Sequence, residues 1–157
     1  VAMRLDIVRV LTHDNYTLEF DCGEDFSARE TMDGSRPFAE VRVRGTVRMR
    51  YDGIRLQANI EAPCVAPCSR CLEPVRFMLE EPFIAYVAEK GEVPDDDGDK
   101  LVLPLKNGRY VELREPVFDA LLFAYPSKVL CAEDCKGLCP RCGCNLNTES
   151  CSCVSGG

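Results

Sequence analysis

Seven cysteines fall within the 23 residues from 131 to 153, in the segment CAEDCKGLCPRCGCNLNTESCSC. No other feature constrains the chain as much, because this segment has no hydrophobic periodicity with which to fold. So short a stretch cannot bury enough apolar surface by itself, and cross-links or a metal must hold it together. Disulfides, a redox or iron-sulfur centre and zinc are the three chemistries available. The chain has eleven cysteines, an odd number that full disulfide pairing cannot use up. Its start, VAMRLDIVRVL, lacks the pattern of a secretory signal, so the expected location is the cytoplasm, where thiols stay reduced.

Spacing divides the thiols. Cys68 and Cys71, in CSRC, have the Cys-x-x-Cys interval that a tight loop can turn toward one ion. A redox motif of that spacing needs a helix starting at the pair, but here the flanks read as strands and Pro74 follows closely. Cys139 and Cys142, in CPRCG, form a second such pair, with Gly143 placed for a tight turn. Cys151 and Cys153 complete a four-thiolate set with them. Cys131 and Cys135 are then the natural partners of Cys68 and Cys71, which gives two zinc sites of four ligands each. Cys144 is a possible substitute for Cys142, and Cys22 and Cys64 read as small buried residues. Cys135, Cys139 and Cys142 also have an iron-sulfur spacing known from radical enzymes, but only 15 residues follow Cys142, too few for the barrel those enzymes require. A simple cluster and a thiol switch that releases zinc on oxidation stay open as alternatives. Closed four-thiolate sites are structural. The single histidine, His13, sits beside a turn, and there is no nucleophile elbow or phosphate-binding loop. The expectation is a protein that is not an enzyme and has no small-molecule substrate.

The rest of the chain reads as α+β. AEVRVRGTVRMRY alternates strictly, Asp52-Gly53 is a hairpin turn, and IRLQANIEAP returns as the partner strand. PVRFMLEEPFIAYVAE supplies a third strand, with Pro82 marking a bulge, edge or break. Before these, MRLDIVRVL and NYTLEFDC read as strands, joined to the rest by the polar stretch EDFSARETMDGSRP. Later, LVLPLKNGRYVELRE predicts a short hairpin about Asn107-Gly108. REPVFDALLFAYP has Val117, Leu121, Leu122 and Tyr125 at helical spacing and closes at Pro126. The predicted organisation is a β-rich core over 1–130, a mostly antiparallel sheet or open barrel with one main C-terminal helix near 115–125, and a zinc-organised cysteine-rich tail over 131–157. No apolar run is long enough to span a membrane.

The formal net charge is −7, which argues against nucleic-acid binding by bulk attraction. Asp95, Asp96, Asp97 and Asp99 make an acidic run that reads as a solvated loop. Arg42, Arg44, Arg48 and Arg50 share one face of their strand, and Arg55 extends the stripe if the register allows. They are either the polar face of a half-exposed sheet or a phosphate-contacting stripe for RNA.

PCSRCLEPV at 67–75, EPVFDALLFAYPSKVLC and CAEDCKGLCPRCGCNLNTESCSC together resemble the YceD family, the bacterial large-subunit ribosomal RNA accumulation proteins. The resemblance covers roughly residues 39 to 153 and is to the long form, whose extension carries GLCPxCG; Cys144 departs from the small residue usual at that position. It implies a non-enzymatic role in large-subunit ribosomal RNA accumulation and large ribosomal subunit assembly, with that RNA or a large-subunit ribosomal protein as partner. It also implies a core metal site near Cys68, Cys71 and 131–135, with an added site in the tail. The competing expectations are a thiol-based redox or metal-sensing regulator and a zinc-stabilised protein-interaction module without RNA contact.

Overall fold

The computed structural model describes residues 3–51, 53–88 and 101–150. Its frame is a mixed sheet built on three long antiparallel strands, β4 (Glu40–Arg50), β5 (Gly53–Pro67) and β6 (Pro74–Ala88). β2 (Thr17–Asp25) pairs antiparallel with the free edge of β4, the two-residue β3 (Arg36–Pro37) pairs with the far end of β5, and β7 (Val102–Pro104) lies parallel to the end of β6. A separate two-stranded ladder joins β1 (Arg4–Asp6) to β8 (Tyr110–Glu112). α1 (Val8–Thr12) and α2 (Arg114–Ala124) are the helices of the described residues.

Period-2 patterning dictates which face is buried. Val41, Val43 and Val47 of β4, Ile54, Leu56, Ala58, Ile60, Ala62 and Cys64 of β5, and Phe83, Ala85 and Val87 of β6 form the core with Val117 and Leu121 of α2. Gly45 falls on this face opposite Ala58, where a Cβ would lie 2.1 Å from the Gln57 carbonyl oxygen. Only glycine lets β4 and β5 approach there. β6 runs unbroken through Pro82, whose missing N–H costs nothing because β6 pairs with β5 on one side and meets β7 only at Tyr86–Ala88. The expected edge position is the one the structure uses.

Three expectations need correction. MRLDIVRVL is not one strand: Asp6 Oδ1 accepts the Val8 N–H at 3.0 Å and turns the chain out of β1 into α1. The Asn107-Gly108 turn forms, with φ of 54° and 62°, but the hairpin stops at the Lys106–Tyr110 bridge. β7 and β8 then part toward β6 and β1, since tertiary partners bury Leu103 and Val111 better than the local ladder does. On α2, Leu122 faces outward and Phe118 packs inward instead, 5.7 Å from the ring of Phe26. Phe26 is fully buried although it lies in the polar stretch EDFSARE. Arg29 bridges this corner, donating to Glu115 at 2.6 and 2.9 Å while its guanidinium sits over Phe118.

The β5–β6 hairpin sets where the functional residues lie. Each strand has 15 residues, so the hairpin is roughly 50 Å long. Its closed end carries Cys68 and Cys71, and the β4–β5 turn lies at the opposite end.

Candidate metal centre

The loop joining β5 to β6 turns back on itself through two backbone hydrogen bonds and one residue in the left-handed region. Leu72 N–H donates to the Cys68 carbonyl at 3.0 Å, Cys68 N–H donates to the Glu73 carbonyl at 2.8 Å, and Leu72 adopts a positive φ of 67°. This knuckle aims two thiols the same way. After α2, Pro126 ends the helix and the chain crosses the loop. Ser69 N–H donates to the Val129 carbonyl at 2.6 Å, Val129 N–H to Ser69 Oγ at 3.1 Å, and Arg70 Nη1 to the Cys135 carbonyl at 2.9 Å. These bonds bring Cys131 and Cys135 onto the knuckle.

Cys68 Sγ lies 3.6 Å from Cys135 Sγ, Cys71 Sγ lies 3.6 Å from Cys131 Sγ, and all four sulfurs fall within 4.8 Å of one another. A tetrahedral ion with bonds of about 2.3 Å sets its sulfurs roughly 3.8 Å apart, so this cage has the size such an ion needs. The four cysteines could hold a metal ion, and the surroundings of Cys68 and Cys135 favour the thiolate. Backbone N–H groups of Cys71, Arg70 and Cys131 point at Cys68 and push its thiol down to about 6, the Cys71 contact counting most. Asn147 Nδ2 donates to Cys135 Sγ at 3.3 Å and lowers that thiol. Cys131, beside Cys71 and Cys135, is pushed up to about 12 by the sulfurs it faces. Each sulfur that ionises makes the next harder to ionise, and a dication relieves that repulsion, which is the electrostatic reason the set fits one. Cys64 and Cys22 lie outside this group, in and against the main core, where burial pushes Cys64 up to about 11 and raises Cys22 as well. Cys68, Cys71 and Cys135 are buried against Val75, Leu130 and Leu138, while Cys131 is exposed.

The tail repeats the knuckle. Gly143 N–H donates to the Cys139 carbonyl at 2.9 Å, Cys139 N–H donates to the Cys144 carbonyl at 2.9 Å, and Gly143 has a positive φ of 77°. Position for position this matches Cys68–Glu73, so CSRCLE and CPRCGC are two copies of one turn. The shared C-x-R-C is the sequence signal of this repeat. The Leu138–Asn145 bridge and the Leu146 N–H bond to the Gly137 carbonyl close this small unit. Cys139 is buried, Cys142 is exposed and Cys144 is half-buried. Cys151 and Cys153 lie outside the described residues, as does the acidic run at Asp95–Asp99.

Arg42, Arg44 and Arg48 are exposed on the outer sheet face, and Arg50 is half-buried. Asp21 on β2 holds two of them, with Arg42 at 3.0 Å from both of its carboxylate oxygens and Arg44 Nε at 3.4 Å. Arg55 does fall in register, directly opposite Arg48. No described helix is long and apolar enough to cross a membrane.

Residues 56–156 match the family described as Large ribosomal RNA subunit accumulation protein YceD. A Mycobacterium tuberculosis protein described as Uncharacterized protein Rv2926c is 33% identical over 102 residues, covering 62% of this chain and 47% of its own length. A Mycobacterium leprae protein, Uncharacterized protein ML1660, is 29% identical over 103 residues, or 62% and 45%. The maize protein named Large ribosomal RNA subunit accumulation protein YCED homolog 1, chloroplastic is 26% identical over 149 residues, or 76% of this chain and 50% of its own. The chain spans about half the length of these curated relatives. No solved structure matches. The match takes in β5 from Leu56 onward, β6, α2 and both knuckles, and the chain belongs to the YceD family of large ribosomal RNA subunit accumulation proteins.

Proposed function

We propose that this chain is a zinc-stabilised, non-enzymatic factor that supports accumulation of large-subunit ribosomal RNA during assembly of the large ribosomal subunit, by contact with that RNA or with a ribosomal protein. The observation that carries the architectural half is the four-sulfur cage, which ties the end of α2 to the end of the β5–β6 hairpin. The family match and the maize relative's name support the ribosomal half. All four ligand positions at Cys68, Cys71, Cys131 and Cys135 are sulfur, the soft set that suits zinc, and no position is left open for substrate. The second set, Cys139, Cys142, Cys151 and Cys153, is supported by the repeated knuckle. In that repeat Cys142 stands where Cys71 stands, and Cys144 stands where Glu73 offers its carbonyl, which favours Cys142 as the ligand.

The first site has a proton signature. At pH 7.5 Cys68, pushed down to about 6, is already a thiolate, and Cys135 is lowered too, whereas Cys71 and Cys131 are raised and keep their protons until a metal displaces them. Zinc added to metal-free protein therefore displaces at least the protons of Cys71 and Cys131 at that pH, a release read from the buffer dependence of the binding heat. Acid reverses the reaction: affinity falls with pH and drops more steeply below about 6, where Cys68 also protonates. Pulling the tagged chain from growing cells and identifying bound RNA and proteins tests the cellular role. Large-subunit precursor RNA or large-subunit ribosomal proteins are the expected yield, and enrichment of neither overturns it.

One observation favours a second reading, a thiol-based redox or metal-sensing regulator. Cys131 is exposed, so oxidant can reach one ligand of an otherwise buried set. Zinc retained through mild oxidation supports the assembly factor, and zinc lost there supports the regulator.

A further inference from the structure

The stripe of arginines divides into two unlike halves. At its Arg42 end the acids balance the charge: Asp21 grips Arg42 and Arg44, and the row through Arg42 continues to Glu61 and Glu80 on β5 and β6. At the β4–β5 turn they do not. One row across the sheet reads Thr17, Arg48, Arg55, Tyr86, Val102, and Arg50 follows two residues beyond Arg48 on the same face. Among the described residues none of Arg48, Arg50 and Arg55 forms an ion pair, and the partly buried Arg55 Nε has no hydrogen-bond partner. Like charges directly opposite on paired strands are destabilising. An acidic chain that places two arginines across from each other, and gives neither a carboxylate among the described residues, offers a site for an anion from outside.

The neighbours define the anion. Gly53 opposite Arg50 adds no side chain, and a Cβ there would meet nothing within 4 Å, so the floor beside the arginines is open. Tyr86, half-buried, completes the row. Guanidinium forks match phosphate oxygens, and a tyrosine ring beside them suits stacking with a base that has left a duplex. We propose that Arg48, Arg50, Arg55 and Tyr86 form a binding site for single-stranded RNA, resting on the ribosomal RNA reading above and naming RNA as the direct partner. By strand length the site lies roughly 40 Å from the Cys68 sulfur, too far for the metal to touch the bound RNA. Metal and RNA then act at opposite ends of one hairpin.

Binding of a labelled single-stranded oligoribonucleotide to the full zinc-loaded chain, followed by fluorescence anisotropy across a salt series, tests the site. Arg48→Glu with Arg55→Glu is expected to weaken binding at least tenfold and to reduce the slope of log affinity against log salt by about 1.4, the value for two lost single-strand phosphate contacts. Arg42→Glu with Arg44→Glu, already neutralised by Asp21, is expected to change it less than about threefold. Tyr86→Ala weakens binding roughly 5- to 100-fold, whereas Tyr86→Phe, which keeps the ring, does not. Zinc content and melting midpoint, measured on every variant, confirm that each is folded. If the Arg42 and Arg44 pair instead abolishes binding, or a duplex is bound more tightly than the single strand, the site is wrong while the ribosomal RNA reading stands. If the unaltered chain binds no RNA, the site is again wrong, and recovery of ribosomal proteins alone from cells keeps the broader reading through a protein partner.

Discussion

Cys68→Ser costs the protein one metal equivalent and at least about 4 kcal/mol of stability, the range in which loss of a structural metal falls. The size of the effect comes from position. Cys68 is the first residue after β5, fully buried, and its sulfur meets both the Cys135 thiol and the Cys131 N–H. Serine there leaves three thiols without a closed cage and an oxygen too short and hard to replace the fourth. The loss spreads, because the 129–135 segment is held to the knuckle by only a few hydrogen bonds once the ion has gone. α2 keeps its packing through Val117 and Leu121, so the sheet core survives with a frayed C-terminal connection. Cys151→Ser also removes one metal equivalent but with a smaller loss of stability, confined mainly to the tail. Metal counted by mass spectrometry, with urea unfolding of the same samples, separates the two. Loss of all metal in both variants would mean a single shared cluster and sink the two-site division.

The two knuckles were legible because their geometry is local: two cysteines at a Cys-x-x-Cys interval with a turn residue after them specify a knuckle whatever surrounds it. The long strands were equally legible, since β4 and β5 bury alternate residues without exception between Val41 and Val47 and between Ile54 and Cys68 apart from the Gly45 gap. What escaped were features set by distant partners. The β7–β8 hairpin has the right turn residues, but Leu103 and Val111 are captured by separate strands. Phe26 looks like loop until Phe118 arrives from a helix more than ninety residues later. The two halves of the arginine stripe are identical in sequence pattern, and only the cross-strand register, which puts Asp21 beside Arg44 and Arg55 beside Arg48, tells them apart. Register is the one quantity that alternation within a strand does not carry.

Asn147→Ala is expected to weaken metal binding at the first site 10- to 100-fold without changing the number of ions bound. Asn147 belongs to the tail, yet it serves the core site. Its Nδ2 donates to Cys135 Sγ at 3.3 Å, its Oδ1 accepts the Lys136 N–H at 2.9 Å, and its own N–H is held by Asn145 Oδ1 at 2.9 Å. The donor to sulfur lowers the Cys135 thiol, and removing it makes that ligand harder to deprotonate. The acceptor on Lys136 fixes the backbone between the two knuckles, where Gly137 at φ 80° packs against Arg70. The second knuckle therefore does more than append a module: it delivers Asn147 to the first. Competition against a chelator of known affinity measures the loss in Asn147→Ala, and Asn145→Ala, which removes the acceptor of both the Asn147 N–H and its Nδ2 but leaves that amide able to reach Cys135, should give a smaller one. An unchanged first-site affinity in Asn147→Ala would show that the tail folds beside the core centre without tuning it.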